Sequence, residues 1–460
     1  MDRDRMSKNW ILQGFVWTMP GVLALPAMAQ TAAPPAPPTT VWTQSNLAGD
    51  AGGLRPDLAA HGMALTLQDT ENLLGNVAGG VRQGATLQGV ATATLQIDTA
   101  KALGLPGGTF DVSALQIHGR SLSPSYLDNL QTANGTEADD ATRLWELWYD
   151  QRFGGVLDVK LGQQSIDQEF LVSKYSALFV NTMAGWPLIP SDDLYAGGPA
   201  YPLAALGARL QAKPNAKVTL LAGVFDDNPP GGAFANDPQS RDAGGTRFNL
   251  NTGALIIAEL QLASSPLPGL SGGYKLGFWV DTASFPDQAI DRAGLSLANP
   301  TSSGNPAQHR GNYSLYGVAD QTLWQAKGGG RSLNGFARIM GAPADRNLVD
   351  VFFNGGLTLT EPLPGRDKDS AGIDLGIAHV SSRAAALDRA TVLFSGIDTP
   401  IRGTEILVEL TYQAQITPWL QVQPDAQFIL NPGGGMRNPA VPGQRLQDEV
   451  VLGVRTNVTF

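Results

Sequence analysis

Val450-Val451-Leu452-Gly453-Val454-Arg455-Thr456-Asn457-Val458-Thr459-Phe460 closes the sequence. Val450, Leu452, Val454, Val458 and Phe460 share one face of a period-two strand, with Thr456 the polar residue among them. Val451, Gly453, Arg455, Asn457 and Thr459 share the other face, which is mostly polar. Two kinds of structure alternate in this way. One is the half-buried strand of a soluble β protein. The other is a strand of a transmembrane barrel, whose lipid-facing and lumen-facing residues alternate. An aromatic residue ending the apolar face favours the barrel, and the rest of the chain has to decide.

The opposite end carries an export pattern. Arg3, Arg5 and Lys8 precede an apolar stretch, Trp10 to Leu25, and Ala27-Met28-Ala29 follows it. A basic n-region, an apolar h-region and an A-x-A site make a secretory leader, with cleavage expected after Ala29. Met6 is an alternative start that keeps Lys8. Gly14, Pro20, Gly21 and Pro26 interrupt the stretch, which falls short of the ~20 apolar residues of a membrane span. No later window resembles a transmembrane helix. An exported chain without such helices can enter a bilayer only as a closed barrel, because lipid offers no partner to an open sheet edge.

Composition points the same way. There are 54 Gly, 31 Pro and no Cys, and 16% of residues are charged. That suits many strands joined by turns. Large closed barrels need no disulfides, unlike small secreted domains. The 31 basic and 41 acidic side chains give a net charge of -10, which argues against a nucleic-acid surface.

The expected organisation is a leader over 1–29, a Pro-rich linker and periplasmic N-terminal segment over 30–60, and an outer-membrane β-barrel over 61–460. Four prolines between Thr31 and Thr40 favour an extended spacer. Sixteen candidate strands follow, at about 61–75, 87–98, 108–118, 142–152, 156–163, 203–212, 216–225 and 246–262. The series continues at 271–284, 311–325, 331–341, 347–361, 371–382, 403–417, 419–431 and 447–460. The fold expected is all-β, an up-and-down antiparallel barrel of about sixteen strands. In 403–417, Ile406, Val408, Leu410, Tyr412, Ala414 and Ile416 lie on one face. Glu405, Glu409, Thr411, Gln413 and Gln415 lie on the other, with Leu407 the exception. Tyr149, Tyr274, Trp279, Tyr313, Trp324, Tyr412 and Trp419 fall near strand ends, where an interfacial aromatic belt is expected. Residues 165–202, with 119–141 as a second candidate, are too long for ordinary turns and are expected to fold inward and narrow a pore.

Five segments, in order, resemble the carbohydrate-selective porin family of the OprB type. The first is Trp42-x4-Leu47-x-Gly49-Asp50-x-Gly52-Gly53-x-Arg55-x2-Leu58-x3-Gly62. The second is Gly162-Gln163-Gln164 with Asp167-x-Glu169-Phe170. The third is Phe179-x-Asn181 with Gly197-Gly198-Pro199-x-Tyr201-Pro202. The fourth is Gly223-Val224-Phe225-Asp226-Asp227-Asn228-Pro229. The fifth is Glu409-x2-Tyr412, Pro418-Trp419, Gln423-Pro424-Asp425-x-Gln427 and Asn431-Pro432-Gly433-Gly434. The resemblance implies a sixteen-stranded outer-membrane porin of a Gram-negative bacterium that lets mono- or oligosaccharides diffuse passively into the periplasm, without a cofactor. It supplies no residue-level match for sugar contacts.

Those contacts are read from alternation instead. Asp158, Lys160, Arg338, Glu409, Gln423, Asp425 and Gln427 are expected on lumen faces. Arg82, Glu146 and Arg152 lie near strand ends and are further candidates. Arg338 and Glu409 are expected to contribute to a ring of donors and acceptors across a narrow lumen. Pro424 lacks a ladder donor, and a bulge is expected beside it. Expected partners are sugar solutes, outer-membrane lipid, the barrel-assembly machinery through Phe460 and, as an open alternative to a monomer, further copies of the chain. An export channel for polysaccharide and a non-selective ion or solute porin are the competing readings.

An enzyme is not expected. His61, His118, His309 and His379 show no metal-ligand spacing, there is no H-E-x-x-H, and Ser113 with His118 on one candidate strand is a coincidence common in 460 residues. Gly328–330 and Gly433–435 lack the Lys and the strand-to-helix context of a phosphate loop.

Overall fold

The computed structural model describes residues 40–232, 237–439, 441 and 443–460. The expected leader, and nearly all of the Pro-rich spacer, lie outside the described residues.

Sixteen strands run in chain order. They are β1 Met63–Ala78, β2 Gly84–Asp98, β3 Gly108–Gly119, β4 Ala141–Phe153, β5 Leu157–Gln164, β6 Ala205–Asn215, β7 Val218–Asp226 and β8 Ala254–Ala263. The second half is β9 Gly272–Asp291, β10 Pro306–Gln325, β11 Ser332–Gly341, β12 Val349–Thr360, β13 Ser370–Val380, β14 Thr404–Thr417, β15 Leu420–Leu430 and β16 Glu449–Thr459. Each pairs antiparallel with its sequence neighbours, and β1 pairs with β16, so the sheet closes on itself. Closure leaves no unpaired edge, as a lipid environment demands.

The faces sort by alternation. On β16, Leu452 is 47% exposed and Val451 is fully buried. On β14, Leu410 and Ile416 are exposed whereas Glu405, Leu407 and Glu409 are buried. Leu407 breaks the polar pattern because it packs in a cluster with Leu74, Leu122, Leu127 and Val180.

Four expectations change. Residues 246–253 are not strand, since β8 begins at Ala254; Pro229, Pro230 and a polar run fill the connection instead. β9 and β10 form a longer hairpin than the alternation indicated. Trp279 is no belt residue. It is in phase with Gly277 and Asp281, packs inside, and its neighbours Phe278 and Val280 face out. Pro424 makes no bulge. The ladder skips from Thr411↔Asp425 to Ala414↔Val422 without gaining a residue on either strand. Pro424 stands exposed on the outer face, and Thr411 Oγ1 donates to its carbonyl at 3.2 Å. Tyr313 and Trp324 are exposed outside as a belt requires.

One end of the barrel carries the short turns and both chain ends. There Leu47 N donates to Thr459 O at 2.8 Å, Trp419 Nε1 to Val41 O at 2.6 Å, and Arg55 to the Phe460 carbonyl. Residues 40–62, with the short helix Leu54–Ala60, thus sit against the β1–β16 seam. The other end carries the long connections, at 120–140, 165–204, 227–253, 381–403 and 431–448. Long loops on one side and short turns on the other are the outer-membrane pattern.

Candidate channel constriction

The lumen is crossed by the 165–204 connection. Phe170, Leu171, Met183, Trp186 and Ile189 pack against wall residues Leu221, Ile257, Trp279 and Phe352. Apolar packing alone leaves the irregular backbone of such a loop unpaired, and buried backbone groups need partners. The strands supply them. Glu409, fully buried, accepts from Val180 N at 2.7 Å, Asn181 N at 2.9 Å and Asn181 Nδ2 at 2.8 Å. Asp320 accepts from Ser173 Oγ at 2.6 Å and Lys174 N at 3.0 Å, and Glu259 from Leu171 N at 3.0 Å. Glu146 accepts from Ser165 N at 3.0 Å and Gln168 Nε2 at 3.1 Å.

Arg338 completes the set from the opposite sign. It is fully buried and donates to the carbonyls of Leu171 (3.1 Å), Met183, Ala184 (2.9 Å) and Gly185 (2.9 Å), and to Asn354 Oδ1 (3.0 Å). A planar guanidinium with five donors is the side chain able to close so many carbonyls at once. The 120–140 connection is held likewise. Glu405 accepts from Leu130 N, Gln131 N and Gly433 N, and Gln427 Nε2 donates to Ala133 O at 2.8 Å. Arg455 joins the two loops, reaching Asn134 Oδ1 and Val180 O, each at 3.1 Å.

Most of the sequence-derived site residues therefore reach the lumen side and meet loop atoms there. Arg338 and Glu409 do not face each other across open space; both are occupied by loop backbone. Gln423 Nε2 donates to Leu178 O at 2.7 Å, and Asp425 accepts from Gln427 at 2.9 Å. Arg82 sits at the rim between β1 and β2, donating to Ser125 O with its guanidinium 4.6 Å from the Tyr126 ring centroid.

A second group stands on β4–β6, where charged side chains pair with one another and with Glu169 of the loop. Asp158 binds Arg209, and Arg152 Nε lies 3.5 Å from Asp158 Oδ2. Lys160 pairs with Glu169 and sits 4.4 Å from the Trp148 ring centroid. Arg209 Nε meets Glu169 Oε2 at 2.6 Å. Sequence reading missed Arg209, Glu169, Asp320, Glu259 and Arg455 as wall groups. The lumen phase of their strands marked all but Glu169, a loop residue. Among the described residues, no cluster of His, Asp and Glu is placed to hold a metal ion.

Outside the strands, the Asp193 carboxyl at the end of the helix Leu188–Asp193 is buried with neither oxygen hydrogen-bonded. Burial pushes it well above the usual carboxylate range, and Asp192 and Asp350 add to the push.

A closed barrel of this strand number, with an inward loop fixed to a polar wall, defines a porin. The chain belongs to the carbohydrate-selective porin, OprB family, whose model matches residues 82–460. It is thus an outer-membrane protein of a Gram-negative bacterium. Porin B of Pseudomonas aeruginosa is 26% identical over 436 residues, covering 89% of this chain and 91% of that protein. The high-pH structure of OprB from Pseudomonas putida superposes with a TM-score of 0.80 at 23% identity, covering 91% of this chain and 99% of that one. The low-pH structure of the same protein gives 0.55 at 18% identity over the same shares.

Proposed function

We propose that the chain is a passive channel for small sugars, and that its solute path runs past the β4–β6 wall. The observation that carries this is the division of labour in the lumen. Arg338, Glu409, Glu146, Gln423, Asp425 and Gln427 are spent on loop and wall atoms. Asp158 and Arg152 pair with each other on the strands, and Lys160, tied to Glu169 of the loop, stands beside the Trp148 indole face. Sugar hydroxyls need donors and acceptors together, and an indole face suits the apolar face of a pyranose. Paired charges offer both without a strong net field, which suits a neutral solute better than an ion.

Reconstitution tests this. Liposome swelling with sugars of increasing size is expected to show uptake of monosaccharides ahead of oligosaccharides. Trp148→Ala and Asp158→Asn are expected to change relative sugar rates while the boiled and unboiled forms still migrate differently on gels. Equal swelling with sugars and with small ions of either sign would favour a non-selective porin. Unchanged sugar rates in both variants would move the path to another wall.

A further inference from the structure

The lumen charges of β4–β6 share their ion pairs unevenly. Arg209 meets three carboxylates, those of Asp150, Asp158 and Glu169. Arg152 meets two, those of Asp150 and Asp158. Lys160 meets one, and it is Glu169. The strands therefore supply carboxylates to their own arginines, whereas the partner of their lysine comes from the 165–204 connection. Asp150 stands opposite Lys160 in the ladder, yet its ion-pair contacts are with the two arginines. The Glu146 carboxylate, on the same wall, is taken up by Ser165 N and Gln168 Nε2.

Glu169 is placed on Lys160 by its neighbours in sequence. It follows the single turn Ile166–Gln168, and Ile166 and Phe170 to either side are buried in the apolar cluster that fixes the loop to the wall. Its carboxylate spans two cations, with Oε1 on Lys160 Nζ and Oε2 2.6 Å from Arg209 Nε. The Lys160 ammonium lies 4.4 Å from the Trp148 ring centroid, and with Glu169 upon it the lysine side chain is 9% exposed. An ammonium beside an indole face is a receptor for an acidic sugar. The carboxylate of the solute would take the ammonium in a charge-assisted hydrogen bond, and its carbon skeleton would lie on the indole. The loop carboxylate stands where the carboxylate of such a solute would bind.

We propose that Glu169 sets the charge selectivity of the solute path. By occupying Lys160 with a carboxylate of the chain's own, it denies that ammonium to aldonates and uronates and leaves neutral sugars favoured. The proposal rests on the sugar path running past β4–β6. Loss of the Glu169 charge leaves Lys160 without an ion-pair partner and makes the local field more positive by one charge, which draws anions into a narrow lumen. At ~10 Å, with an effective dielectric constant of about 20–80, one unit charge changes the local concentration of a monovalent anion roughly two- to fifteenfold.

Uptake of labelled glucose and labelled gluconate into liposomes tests this. Glu169→Gln keeps the size of the side chain and removes its charge, and Glu169→Ala also clears the space on Lys160. The gluconate-to-glucose rate ratio is expected to be low in the parent. It is expected to rise roughly two- to fifteenfold in Glu169→Gln, and at least as far in Glu169→Ala, while the heat-dependent gel shift persists. Lys160→Met added to Glu169→Ala is expected to cancel the rise. A ratio that does not rise in Glu169→Ala overturns the proposal, even where both rates increase, because the loop has then merely opened. A rise that survives Lys160→Met also overturns it, since the anion then meets another group. A parent that admits no glucose ends the sugar-channel reading and this proposal with it. A parent that admits glucose, with a ratio fixed across the variants, ends this proposal alone.

Discussion

Replacing Arg338 with Met should free the segment around Met183 and widen the channel. The substitution keeps an unbranched apolar stem in the same place and removes the guanidinium. Four loop carbonyls, those of Leu171, Met183, Ala184 and Gly185, then lose their donor. At about 1.5 kcal/mol for each hydrogen bond to a charged group, the loss is about 6 kcal/mol. About 5.5 kcal/mol carries a two-state element from 99:1 to 1:99, so the loss is enough to undock a local segment. It is not enough to release the whole loop, because Glu409, Asp320, Glu259 and Glu146 still hold its other backbone groups. Single-channel conductance in planar bilayers should rise, and liposomes should admit larger oligosaccharides. The barrel should keep its heat-dependent gel shift, since no strand pairing is touched. Arg338→Lys should fall between the two, as a compact ammonium cannot span four carbonyls. A Met variant with the parent's conductance and size cut-off would refute the role given to Arg338.

Two further outcomes follow from named contacts. Asp193 is held above its ordinary pKa by burial, so the undocked loop ionises first as pH rises and docking weakens above the usual carboxylate range; at low pH, where both states are protonated, docking is strongest. Conductance should therefore climb with pH in the parent and stay flat in Asp193→Asn; a parallel climb in both assigns the effect to another group. Deleting Phe460 removes the N–H donated to Leu67 O at 2.9 Å and the partner of Arg55, so assembled, heat-shifting protein should decrease while export continues; unimpaired assembly refutes the seam role.

The sequence by itself determined the barrel. Period-two alternation needs only local order, and closure follows from export without an apolar helix. The strand spans came out within a few residues except where proline and polar runs replaced the start of β8 and where the β9–β10 hairpin continues past the belt. Alternation also said which side of a strand a residue occupies, and so placed Arg338, Glu409 and Gln427 inward. It could not say what stands opposite them. Arg338 meets Leu171 across 167 positions of sequence, and Glu409 meets Val180 across 229. Those distances are bridged only when the sheet closes and the loop folds in, and no periodicity records such a meeting. Leu407 shows the same limit. Its phase marked it as an anomaly, and only the packed loop shows that an apolar residue belongs there. Asp69 and His118 are separated by a strand in sequence, and the register of β1, β2 and β3 alone brings them onto one outer surface.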